Sequence, residues 1–211
     1  MDLKRIISYP ARWRRSKGFG VHSPFAFNFI TKVIGEREAE YYAYAEIAAF
    51  CPKARKAGFN EIFAGRDMSV PEAWMLFRVL CHFAPSIVVE AGHGDEVTNI
   101  IVERALPHCS VEVWDASHVP DMKNTGDTEP FVLINQCLPQ SKDNLMNYAR
   151  TLLENGDTVF FMRNLHSIPV MATIWEEITS MTGYGMGFTD GYTGIYVGRR
   201  SLPHQTFDIL M

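Results

Sequence analysis

The sequence predicts an α/β fold, a mainly parallel sheet with helices on both faces, carrying a helical extension at its N-terminus. Three observations predict it. From Ser86 onward, apolar runs of strand length alternate with segments of helical period, and strands separated by helix-length crossovers pair in parallel. The run SIVVEA, residues 86–91, is β-branched and continuous, as in a strand buried on both faces. Up to about residue 83 the chain instead reads as capped helices and loops.

In that first part, Ser23 reads as an N-cap with Pro24 at the first helical position. Phe25, Phe29, Ile30, Val33 and Ile34 follow at helical spacing, and Gly35 offers a stop. The stretch EREAEYYAYAEIAAF, 36–50, predicts a second helix ended by Pro52. Its tyrosines 41, 42 and 44 form an aromatic run that packs on the core or walls a substrate. Ser69 and Glu72 have the spacing of a capping box. Trp74, Phe77, Leu80 and Cys81 make the apolar stripe of that helix, which Pro85 closes.

The second part begins with the strand SIVVEA and the helix DEVTNIIVERAL, whose Val97, Ile100, Ile101 and Leu106 face inward. CSVEVWDA is the next strand, followed by the polar stretch HVPDMKNTGDTEP and the strand FVLIN. The helix SKDNLMNYARTLLEN and the strand DTVFFMRN come next, then the helix IPVMATIWEEITSM with Ser167 as its cap. Ile168, Ile174, Trp175, Ile178 and Met181 form the inner stripe of that helix. GYGMGFTD, GYTGIYVGRR and HQTFDILM predict strands joined by tight glycine turns, antiparallel at the sheet edge.

The 211 residues, 47% hydrophobic and 21% charged, have the composition of an ordinary globular protein of one domain. No apolar run approaches the roughly 20 residues that cross a bilayer, and the N-terminus lacks the apolar region of a secretory signal. A cytoplasmic protein with no membrane partner is the expectation. Cys51, Cys81, Cys109 and Cys137 are far apart, without metal-ligand spacing, and are expected to be reduced and buried. Residues 1–17 carry six basic groups against Asp2 alone, a local charge of +5 that leaves −9 on the rest of a chain of net charge −4. This arm, which includes Trp13, suits nucleic acid or an anionic surface, or is a solvated segment pairing with the acidic body. The acidic body argues against a broad nucleic-acid footprint.

In an open parallel sheet, ligands bind beyond the carboxyl ends of the strands. There the turn Glu90-Ala91-Gly92-His93-Gly94-Asp95-Glu96 precedes a helix, and Asp115 ends the next strand. Glycines let the backbone approach a ligand, and a carboxylate at the Asp115 position accepts hydrogen bonds from a ribose. Asp95 and Glu96 would repel a pyrophosphate, whereas S-adenosylmethionine has none and carries a cationic sulfonium, so it is preferred over a nicotinamide cofactor.

GFGVHSPFAFNFI, YYAYAEI, SVPEAWMLFRVLCHFAPSIVVEAG and the tail PHQTFDI together resemble a group of predicted class I methyltransferases of Bacteroidetes-type bacteria. The resemblance spans most of the chain, with GVHSPF as its most specific motif. It implies a Rossmann-like methyltransferase sheet, mainly parallel with an antiparallel C-terminal edge. Residues 85–211 would form that core, and residues 1–84 a helical extension packed on it as one structural unit. It also implies S-adenosylmethionine as cofactor, Glu90, Gly92 and Gly94 at the cofactor turn, Asp115 at the ribose, and a small-molecule acceptor. Nucleic acid is not the implied partner.

The chain departs from that pattern in four places. Glu96 replaces the last glycine of the turn, setting a carboxylate where the cofactor should lie. The segment 116–130 is short by about one strand-helix unit, the one that precedes the adenine loop. Asn135 stands where relatives end the strand in aspartate. Arg163-Asn164-Leu165-His166 stands for an acidic strand end, so no metal site is expected. His166, Asp190 and His93 lie where a base could sit, and His22 is expected to hydrogen-bond locally beside the helix cap. Three readings remain at this point: an S-adenosylmethionine-dependent methyltransferase, a degenerate non-catalytic relative serving as a binding or scaffold module, and a nicotinamide oxidoreductase.

Overall fold

The computed structural model describes residues 3–39, 41–51, 67–92, 96–115, 118, 120 and 129–211, except for the side chains of residues 3–7 and 96. The described chain runs through α1 (Leu3–Ser16), α2 (Pro24–Phe29), a π-helical turn (Ile30–Ile34), α3 (Ala43–Phe50) and α4 (Val70–Phe83). Next come β1 (Ile87–Ala91), α5 (Glu96–Ala105), β2 (Ser110–Trp114), β3 (Phe131–Ile134) and α6 (Lys142–Asn155). The chain closes with β4 (Thr158–Met162), α7 (Pro169–Ser180), β5 (Met186–Thr189), β6 (Gly194–Gly198) and β7 (Gln205–Asp208).

Local chemistry explains where the first helices start and stop. Ser23 Oγ accepts from the Ala26 N–H at 3.3 Å, and Pro24 supplies the first helical residue. The helix passes Phe29 as a π turn and stops at Gly35, leaving carbonyls that need donors. Arg78 supplies them from α4: its Nε donates to Val33 O at 2.7 Å and its Nη2 to Ile34 O at 2.9 Å. The helix predicted over 36–50 begins only at Ala43. Glu36 prevents an earlier start, because its carboxylate accepts from the Glu38 and Ala39 N–H groups and ties a turn instead. Tyr44 alone of the three tyrosines is therefore helical, stacked on Trp74 at 4.6 Å, while Tyr42 is exposed. Ser69 and Glu72 form the predicted capping box. α7 differs from expectation at its start: Ile168 is the N-cap and Pro169 the first residue, with Ser167 in the preceding turn.

The strands form one sheet in the order β2-β1-β3-β4-β6-β5-β7. β2, β1, β3 and β4 are mutually parallel, β6 runs against both β4 and β5, and β7 runs with β5. Side chains alternate between two cores. Val88, Phe131, Leu133, Val159 and Phe161 meet the helices α2 to α5 on one face. Val89, Val132, Ile134, Phe160 and Met162 meet α6 and α7 on the other. The order reverses at β1, whose neighbours are β2 on one side and β3 on the other. This is the switch point of a doubly wound sheet, where the carboxyl ends diverge to leave a crevice. β2 is the edge strand, and Val111 and Val113 on it are exposed.

No disulfide joins the four cysteines; Cys51 and Cys137 are buried as expected, but Cys109 is half-buried and Cys81 exposed. Cys81 follows Leu80 on α4 and turns away from the face that packs on the sheet. No helix among the described residues is long and apolar enough to cross a membrane.

Candidate functional site at the sheet switch point

The carboxyl ends of β1, β3 and β4 converge at the switch point. Each carries a polar residue where an apolar strand ends: Glu90 on β1, Asn135 just past β3, and Arg163-Asn164 just past β4. These residues bond to one another. Asn135 Nδ2 donates to Glu90 Oε1, and Arg163 Nη1 donates to Asn135 Oδ1 at 3.2 Å. Arg163 Nε pairs with Glu72 Oε1 at 3.2 Å, and Thr193 Oγ1 donates to the same oxygen at 3.1 Å. Asn164 Nδ2 donates to Asn135 O at 2.9 Å. None of Glu72, Glu90, Asn135, Arg163, Asn164 and Thr193 is more than 5% exposed. A cation and two carboxylates thus sit in the low-dielectric interior, linked by amides that satisfy their hydrogen bonds.

Sequence reasoning placed Glu90, Asn135 and Arg163 at this end of the sheet, and the structure brings them together. It missed Glu72 and Thr193. The capping box accounts for only one side of Glu72: Oε2 accepts from Ser69 N at 3.4 Å while Oε1 turns inward to Arg163. The arginine at an otherwise apolar strand end was the available signal, since a buried guanidinium requires a carboxylate partner.

Gly92 directly follows β1 with φ +96°. A Cβ there would lie 2.6 Å from the Gln136 carbonyl oxygen and 2.9 Å from its nitrogen, so the position accepts glycine alone. The group approached at Gly92 is the chain's own backbone after β3. Gly94, His93 and Asp95 lie outside the described residues, as does the side chain of Glu96. Most of the shortened segment 116–130 lies outside them too.

Asp115 is exposed at the end of β2, as a ribose-binding carboxylate would be. Its Oδ1 accepts from the His118 N–H at 2.8 Å, and the two backbones exchange hydrogen bonds. It therefore also closes a turn. Asp190 Oδ1 accepts from the Tyr192 and Thr193 N–H groups, both at 2.8 Å, which makes it the anchor of the β5–β6 turn. His166 is exposed, its ring edge-on to Tyr192 at 5.2 Å. His22 is also exposed and makes no side-chain hydrogen bond among the described residues, contrary to expectation; Ser23 does the capping alone. Among the described residues no group of three or more His, Cys, Asp or Glu side chains is placed to hold a metal ion.

No protein-family model matches the chain, and no curated protein sequence is detectably similar to it. Among solved structures, a protein-(glutamine-N5) methyltransferase (release factor-specific) from Alicyclobacillus acidocaldarius is similar at 15% identity and a TM-score of 0.30. The match covers 57% of this chain and 86% of that one. A similarity so distant carries neither activity nor substrate across.

Proposed function

We propose that this chain is a methyltransferase-like protein that has ceased to transfer methyl groups and serves as a binding or scaffold module. One observation carries the reading: the buried network Glu90–Asn135–Arg163–Glu72 occupies the carboxyl end of the sheet. For S-adenosylmethionine to bring its sulfonium into this crevice, Arg163 must leave Glu72, and the cationic ligand must then face a guanidinium. Breaking a buried ion pair costs about 3–5 kcal/mol. That cost alone weakens binding by about a hundredfold to several thousandfold, taking a micromolar ligand to the millimolar range.

The enzyme reading retains one favouring observation. Gly92 is conformationally special and Asp115 is exposed at the adjacent strand end, which is the arrangement a nucleoside cofactor requires. The cofactor is then S-adenosylmethionine, held by Glu90, Gly92, Gly94 and Asp115, with an unidentified small molecule as acceptor. Metal-assisted deprotonation of that acceptor is not part of this reading, because Asn135 and Arg163 bring no negative charge to their strand ends.

Calorimetric titration with S-adenosylmethionine and S-adenosylhomocysteine separates the two. The module reading expects no saturable heat up to millimolar ligand. Micromolar binding that Asp115→Ala weakens at least tenfold would instead establish the cofactor site.

A further inference from the structure

The basic N-terminal arm is a built surface rather than a solvated tail. One stripe of α1 is fastened to the C-terminal strand. Arg12 is buried and donates from Nη2 to Ile209 O at 2.7 Å and Asp190 O at 2.9 Å, while its Nε pairs with Asp208 at 2.7 Å. One helical turn on, Ser16 Oγ accepts from the Leu210 N–H at 2.7 Å. With residues 12 and 16 turned inward, the neighbouring stripe of Tyr9 and Trp13, spaced i and i+4, faces outward.

The turn after α1 and the start of α2 add two further exposed aromatic rings. Phe19 and Phe27 are exposed, and Phe27 packs on Gly18, where a Cβ would meet its ring at 2.4 Å. Tyr9, Trp13, Phe19 and Phe27 are each between 43% and 60% exposed. Beside them, Arg14 lies 6.0 Å from the centroid of the Phe19 ring. The exposed Arg15 and Lys17 side chains make no ion pair or hydrogen bond among the described residues. The arm does pair with the acidic body, but through Arg12.

We infer that α1 and the turn after it form a peripheral docking surface for an anionic lipid bilayer. Charge complementarity points to this occupant: Arg14, Arg15 and Lys17 are exposed in a segment that is strongly basic in sequence, even with Arg12 turned inward to Asp208. Amphipathic tyrosine, tryptophan and phenylalanine side chains seat at the headgroup level, and arginine and lysine beside them attract anionic lipid. The acidic body does not oppose this contact strongly, because charge effects fade over about 8 Å at physiological salt. Nothing spans the bilayer in this arrangement. Such surface contact departs from the expectation of no membrane partner because Tyr9, Trp13, Phe19 and Phe27 are exposed on and soon after a helix whose last turn and following residue expose Arg14, Arg15 and Lys17. This inference does not depend on whether the switch-point crevice binds a cofactor.

The test is sedimentation of the full chain with vesicles of phosphatidylcholine alone or mixed with phosphatidylglycerol. Binding to the anionic vesicles only is expected, weakened by added salt. The Tyr9→Ser, Trp13→Ser pair should lower partitioning at least tenfold, while the Tyr9→Phe, Trp13→Phe pair retains it. Arg14→Gln and Arg15→Gln should each cost about fivefold. All four positions are exposed, so the thermal melts should match the parent's. The inference is overturned if the chain stays in the supernatant with anionic vesicles, or if the serine pair binds as well as the parent. Tighter binding to a single-stranded oligonucleotide at the same salt would equally overturn it.

Discussion

Arg163 decides the character of the crevice. A guanidinium stands at that strand end, and Glu72, 91 residues earlier, pairs with it. Arg163→Met should therefore leave Glu72 as an unpaired buried charge and cost about 3–5 kcal/mol in chemical denaturation. Adding Glu72→Gln should recover most of that loss, giving a large coupling energy in the double-mutant cycle. An additive pair of effects would show that the two side chains do not act together. Gly92→Ala forces a side chain into a left-handed position facing Gln136 and should destabilise by more than about 1 kcal/mol. Tyr148 makes the opposite case. Its hydroxyl is buried with no hydrogen-bond partner among the described residues, and burial raises its pKa, so Tyr148→Phe should leave stability unchanged or raise it by about 1 kcal/mol. A clear loss of stability in Tyr148→Phe would mean that the hydroxyl has a partner after all.

At the scale of elements, what the sequence revealed was local and what it concealed was long-range. Ser23 with Pro24, and Ser69 with Glu72, lie within one turn of the helices they cap, so their spacing alone identifies them. Glu36 is also local, but a carboxylate that ties its own turn looks in sequence like any helix-forming glutamate. The positions of the glycine after β1 and of the acidic end of β2 were legible. The buried network at the strand ends was not, because it depends on Glu72 meeting Arg163 and on Thr193 joining them, 121 residues from Glu72. Arg78 is similar: α4 caps the π turn across 44–45 residues. Arg78→Met should thus destabilise the N-terminal helices selectively. Hydrogen exchange should rise in α2 and α3 before it rises in β3 and β4, and a uniform rise would contradict that role.

For the whole molecule, β2 lies at one edge of the sheet among the described residues, and at the other edge β7 joins β5. The tail thereby becomes the seat of α1 through Arg12, so the two ends of the described chain stabilise each other. The thiols report on this packing. A disulfide exchange reagent should label exposed Cys81 first in the folded protein and Cys109 more slowly. Cys51 and Cys137 should react only on unfolding, the latter with its thiol pushed up to about 11 by burial. Early labelling of Cys137 would contradict a closed core beneath β3.

If the crevice is filled by its own side chains, the Nε–H group of Arg163, paired with Glu72, observes it directly. In the folded chain its nitrogen-proton resonance should be visible near neutral pH, slow to exchange, and unmoved by millimolar S-adenosylmethionine. A rapidly exchanging signal, or one that shifts as the ligand is added, would mean that the crevice opens and that the cofactor site survives.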